Sequence, residues 1–193
     1  MPDKLRLVLM SCCAPCSAGA IKQLADGEIS GIDDFIVLFF NPNIFPTDEY
    51  DRRLAEQVRY CEKLGVKYAI GEYDHAAWRN AVRGMENAPE RGPRCSACFR
   101  FRFEYAKKWA AEHGYNAISS VFGVSRHKDQ SQVDRAGCIT LSDKYMPIKW
   151  DEQLRIAINK TADFYRQKYC GCEFSIRPEV KKAPNQEKFV LIR

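Results

Sequence analysis

The chain reads as an α/β domain, a parallel sheet with flanking helices. Short apolar runs alternate with amphipathic stretches through its first two thirds, the pattern of strands joined by crossover helices. Residues 35–40, Phe-Ile-Val-Leu-Phe-Phe, are apolar without interruption, as a strand buried on both faces requires. A length of 193 residues, 46% hydrophobic, is enough for one core without disulfides. The expected organisation is a single domain over 1–193 with a charged tail from about residue 177.

In chain order, residues 5–10 form the first strand. Ser17 caps a helix over 17–27 with Ile21 and Leu24 inward. The second strand, 35–40, stops at Asn41-Pro42-Asn43, because proline cannot continue a ladder. Thr47 caps the next helix, where Leu54, Val58 and Cys61 fall at i, i+4 and i+7 and form a core stripe. A third strand covers 66–70, and a helix over 96–113 carries Cys98, Phe101, Tyr105 and Trp109 along one side before Gly114 ends it. The fourth strand is 117–122. The last long helix, 151–169, aligns Leu154, Ile158, Ala162, Tyr165 and Tyr169 and leads directly into Cys170-Gly171-Cys172. No stretch is apolar enough to span a membrane, and the run at 7–10 is too short for a signal peptide. A reducing cytoplasm is the expected compartment, and there clustered thiols act as metal ligands or catalytic dithiols.

Nine cysteines are the anomaly, and seven of them fall in three tight groups at element ends: Cys12, Cys13 and Cys16; Cys95 and Cys98; Cys170 and Cys172. In an open parallel sheet ligands bind beyond the carboxyl ends of the strands, where the loop holding Cys12 and Cys13 must lie. Cys95-Ser-Ala-Cys98 at a helix start points two sulfurs the same way, and the helix dipole favours their thiolates. Four converging thiolates suit zinc and a 4Fe-4S cluster alike. The adjacent pair favours the cluster, because neighbouring side chains on extended backbone diverge.

Cys170-Gly-Cys172 closes only a small, strained ring, the mark of a labile redox pair; a second pair of metal ligands is the alternative. Cys16 is left to bind an additional iron ion or to pack the turn. Cys61 and Cys138 read as small buried hydrophobes, and His75 and His113 as surface or helix-end histidines. His127 and Asp129 share the loop after the fourth strand, where Asp129 could supply a proton or a metal oxygen. The net charge of +5 is mild, yet Arg79, Arg83, Arg91, Arg94, Arg100 and Arg102 crowd the segment around the Cys-x-x-Cys. Interleaved with Phe99, Phe101 and Phe103, they suggest a basic rim for RNA, against the plainer reading of helix-face charges and core rings.

Cys-Cys-Ala-Pro-Cys-Ser from Cys12, Phe-Phe-Asn-Pro-Asn-Ile from Phe39, Glu49-Tyr50, Arg-Cys-Ser-Ala-Cys-Phe-Arg from Arg94 and Tyr-Cys-Gly-Cys-Glu-Phe-Ser from Tyr169 together resemble the cobalamin-independent epoxyqueuosine reductases. The resemblance runs over about residues 5–176 and departs at Ser125-Arg-His-Lys128, where that family more often has Ser-Pro-Tyr. It implies a three-layer, Rossmann-like domain akin to the adenine nucleotide α-hydrolases, with a helical C-terminal part. It implies reduction of epoxyqueuosine to queuosine in the anticodon loop of tRNA; such a reduction needs an electron donor, expected to be of ferredoxin or flavodoxin type but not identified by the sequence. Carried over, the cluster ligands are Cys12, Cys13, Cys95 and Cys98, and the redox pair is Cys170 and Cys172. Two other classes share parts of this inventory: an iron-sulfur thiol or heterodisulfide reductase, and a zinc-stabilised RNA-binding module without enzymatic activity.

Overall fold

The computed structural model describes residues 4–176, so the charged tail expected from about 177 lies outside the described residues. Four strands, β1 (Arg6–Ser11), β2 (Asp34–Phe39), β3 (Tyr68–Ile70) and β4 (Ala117–Ser120), form one sheet in the order β3-β2-β1-β4. Every pairing is parallel, with Leu9 of β1 opposite Val37 on one side and Ser119 on the other. β1 is central, and its alternating side chains feed two cores. Val8 and Met10 pack with Phe99, Phe103 and Ala106 of α4 (Pro93–Glu112) and with Val133 and Ala136 of α5 (Gln130–Leu141). Leu7 and Leu9 pack with Ala14, Ala18 and Ile21 of α1 (Ala14–Ala25) and with Tyr60 and Cys61 of α2 (Thr47–Lys63). That sandwich is the predicted three-layer architecture.

Helix starts differ from the expectation in instructive ways. α1 begins at Ala14 with Pro15 in its first turn, where a missing N–H costs nothing. Ser17 is therefore interior, and its hydroxyl donates to Cys13 O at 3.1 Å and Gln57 Oε1 at 2.9 Å instead of capping. The same effect of Pro93 starts α4 three residues earlier than Ser96, so Cys95 and Cys98 lie inside its first two turns. Two helices were not anticipated: α3 (His75–Ala81), capped by Asp74, and α5, capped by Asp129. The long C-terminal helix is cut short: α6 (Glu152–Thr161) ends eight residues early. Beyond it the chain is extended and bound to α2, with Tyr165 N–H donating to Glu56 Oε1 at 2.7 Å and Phe164 edge-on to Tyr60. Those tertiary contacts outweigh the modest helix preference of Asn159-Lys-Thr-Ala-Asp163. Among the described residues no helix is long and apolar enough to cross a membrane.

Packing of α5 on the segment after it leaves no room at Gly137, where an added Cβ would meet the Tyr145 ring at 2.5–2.6 Å. That ring is held edge-on by Phe103, 5.6 Å between centroids. Gly137→Ala is expected to destabilise the fold by about 1–3 kcal/mol, the usual cost of overpacking, as measured by urea unfolding.

Candidate metal and redox centre

The chain leaves β1 at the carboxyl edge of the sheet, flanked by β2 and β4, and Cys12 and Cys13 occupy that exit. One turn into α1, Cys16 completes a trio whose sulfurs all lie within 4.8 Å of one another. None is in a disulfide. Lys128, from the loop after β4, brings its Nζ to 3.5 Å from Cys12 Sγ. The Cys12 thiol is held well below its ordinary pKa by hydrogen bonds from Cys13 and Cys16, with Lys128 and Arg102 adding positive potential. Its neighbours respond in the opposite sense: Cys13 is raised, and Cys16 is pushed up to about 12, chiefly through the bond to Cys12.

The remaining four clustered thiols meet in a second, smaller cavity. Cys95 and Cys98 from α4 line it with Cys170 and Cys172. Cys98 and Cys172 are buried against Trp78. Burial raises the Cys98 thiol, and it pushes Cys172 up to about 12. Lys128 and Cys170 line this cavity and also the larger cleft of about 640 Å³ that holds Cys12, Cys13 and Cys16. The seven clustered thiols thus converge as two sets joined through Lys128 and Cys170, with Cys16 belonging to the first.

Arg102 and Arg94, expected in a basic rim, are instead interior. Arg102 is fully buried; it donates to Phe40 O at 3.2 Å and to the Asn41 side chain, and its guanidinium lies 3.6 Å from the Phe122 ring centroid. Arg94 is spent on the carbonyls of Met85, Glu86 and Ala88. Arg100 alone of the three is exposed. Phe99 and Phe103 are core and Phe101 packs against it, so the interleaved rings are not a stacking surface. Asp129 is a helix cap: Ser131 Oγ donates to it at 2.6 Å and Gln132 N–H at 2.8 Å. Those bonds lower its pKa and commit that oxygen to the cap. His127 lines the cleft half-buried, 3.9 Å from Glu90, with burial lowering its pKa.

Two further expectations are corrected. Cys138 is exposed, because it lies on the outer side of α5, whereas Cys61 is buried as expected. His75 is a built-in strut, with Nδ1 2.6 Å from Pro42 O and Nε2 3.0 Å from Glu173 Oε2. Lys128 and Arg53 are charged side chains lining the cleft that sequence reasoning missed; the only signal was the position of Lys128 in a loop at a strand's carboxyl end.

The donor set fits an anionic metal cluster on an observation independent of spacing. Arg102 is buried with Nη1 unpartnered, and buried N–H groups without partners are rare in native proteins. Burial lowers the pKa of its guanidinium, and its place beside Cys12, Cys98 and Cys170 makes it a countercharge for metal-bound thiolates.

A parallel α/β sheet that gathers free thiols and buried cations at its carboxyl edge defines a cysteine-rich α/β protein with a candidate metal and redox site. A family model described as "Epoxyqueuosine reductase QueH" matches residues 7–178. The curated relatives include the epoxyqueuosine reductase QueH of Histophilus somni, 41% identical over 181 residues that span 89% of this chain and 72% of the relative. The QueH of Haemophilus influenzae is 40% identical over 185 residues, 91% of this chain and 74% of that one. The chain belongs to the epoxyqueuosine reductase QueH family and is an oxidoreductase. In fold it is similar to the U34-tRNA thiolase NcsA of Methanococcus maripaludis, solved with its 4Fe-4S cluster. That match has a TM-score of 0.52 and 14% identity, covering 92% of this chain and 60% of the thiolase. Family membership favours epoxide reduction over the thiol-reductase and zinc-module alternatives.

Proposed function

We propose that this chain reduces epoxyqueuosine to queuosine in the anticodon loop of tRNA, using a 4Fe-4S cluster on Cys12, Cys13, Cys95 and Cys98 and the Cys170–Cys172 pair. The observation that carries it is the gathering of seven thiols around two cations, Lys128 and Arg102, at the sheet's carboxyl edge. When bound, the cluster stores and passes single electrons, with the nearby cations raising its tendency to accept them. Cys16 is the thiol left for an additional iron ion.

The overall conversion balances on the dithiol. Cys170 and Cys172 lose two protons and two electrons as their S–S bond forms; both epoxide C–O bonds break, the C=C bond forms and oxygen leaves as water. A ferredoxin- or flavodoxin-type protein of the reducing cytoplasm then returns two electrons, and two protons come from solvent.

The tRNA grip moves from the predicted rim to the cleft itself. Arg126, Lys128, Arg155 and Arg166 line it with, among the described residues, a single acid, Glu152, so phosphates flanking the modified nucleotide meet positive charge beside the thiols. Arg126 and Arg166 are exposed and lie away from the sulfurs' hydrogen bonds. Replacing both by alanine is expected to raise KM for tRNA about tenfold at moderate salt, with kcat little changed and a shallower salt dependence.

Expressing the chain in bacteria that lack their own epoxyqueuosine reductase tests the activity. Nucleosides from digested tRNA should show queuosine replacing the epoxide; persistence of the epoxide alongside abundant folded protein would overturn the assignment.

A further inference from the structure

Nothing in epoxide reduction explains a buried ion pair in α2. Arg53 is 2% exposed and Glu49 7%, and their charges meet with Arg53 Nη2 2.6 Å from Glu49 Oε1 and Nε 2.8 Å from the same oxygen. Burying such a pair costs more than packing an apolar side chain of the same volume, so its presence calls for a further role. The rest of the guanidinium supplies one. Nη1 donates to Cys170 O at 3.2 Å and Nη2 to Tyr169 O at 3.1 Å. The other Glu49 oxygen accepts from Tyr165 OH at 2.8 Å, tying the same segment down four residues earlier.

The far side of the segment is also fastened. Phe45 N–H donates to Gly171 O at 3.0 Å, and Ile44 and Cys172 form an isolated antiparallel bridge. Three consecutive carbonyls, of Tyr169, Cys170 and Gly171, thus have partners fixed in α2 or in the loop before it, although 169–172 has no regular structure of its own. The fit is close. A Cβ on Gly171 would stand 2.9 Å from Arg53 Nη1 and 2.9 Å from Ile44 Cγ1.

We propose that Arg53, oriented by Glu49, is the positioning residue that sets the Cys170-Gly171-Cys172 turn, holding Cys170 towards the cleft and within reach of Cys172. This rests on the redox role assigned to that pair. Arginine is needed because one planar fork must serve a carboxylate and two carbonyls at once; a lysine ammonium is a single point charge on a flexible stem.

The test uses the full chain, loaded with iron anaerobically, as Arg53→Lys and as the paired variant Glu49→Gln/Arg53→Met, which strands no buried charge. For both, kcat on epoxyqueuosine tRNA should fall about a hundredfold with KM within about threefold, the signature of a misplaced reacting group. Iron content and the unfolding midpoint of Arg53→Lys should stay near those of the unmodified protein. Diamide, which takes two electrons and two protons from a dithiol, should form the Cys170–Cys172 disulfide about tenfold more slowly, as read by mass spectrometry. Wild-type disulfide formation and turnover in Arg53→Lys would overturn the clamp even if the paired variant fails to fold. Full multi-turnover activity in Cys170→Ser would instead overturn the redox role beneath it.

Discussion

Replacing Cys12 by serine is expected to strip the protein of most of its iron and to cut epoxide reduction by at least about a hundredfold, beyond what losing an outer-shell partner of a ligand usually costs. Cys12 is the thiol of its trio whose pKa is lowered, by hydrogen bonds from its two neighbours and by Lys128 at 3.5 Å. Serine oxygen is smaller and harder and stays protonated at neutral pH, so it offers iron neither the charge nor the soft donor that the site is built around. Cys138→Ser is the matched control: that thiol is exposed and outside both cysteine sets, and its loss should leave iron content and turnover unchanged. Iron assays and visible absorption of anaerobically purified protein give the comparison.

Gly171→Ala should separate the two cysteine sets. Gly171 has φ of +98°, a conformation that costs a residue bearing Cβ about 1–3 kcal/mol, and the new carbon would press on Arg53 and Ile44 at 2.9 Å. The turn must shift, taking both Cys170 and Cys172 with it. Turnover is expected to fall about a hundredfold, the cost of displacing a reacting group by about an ångström, while iron content holds. Iron lost together with activity would show that Cys170 or Cys172 is a ligand and not a redox partner.

Much of this is legible in the amino-acid sequence. Continuous apolar runs give the strands of a sheet buried on both faces, and parallel order sends the loop with Cys12 and Cys13 to the carboxyl edge. The rest depended on contacts that no local pattern carries. α3 has only seven residues, too short for helical periodicity, and both it and α5 are announced by single capping aspartates, Asp74 and Asp129. Asp129 thus looked like a chemical group because its cap partners follow it in an unrecognised helix. Arg94 and Arg102 looked like surface charge because the carbonyls that bury them come from other segments: Glu86 and Ala88 for one, Phe40 for the other. The end of α6 is set by Glu56 and Tyr60 of α2, about a hundred positions away in the chain. Arg53 was invisible for the same reason, being an ordinary charge on a helix until the Cys-Gly-Cys turn is laid across it.

The most direct test of a thiolate-held iron centre driving epoxide reduction is conversion of epoxyqueuosine tRNA by one anaerobic preparation divided in two, one half iron-loaded and the other stripped with a chelator. Both halves receive the same low-potential reductant, and queuosine is measured by mass spectrometry. The structure predicts turnover in the loaded half, none in the stripped half, and recovery when iron and sulfide are restored. Equal conversion by the stripped protein would contradict it.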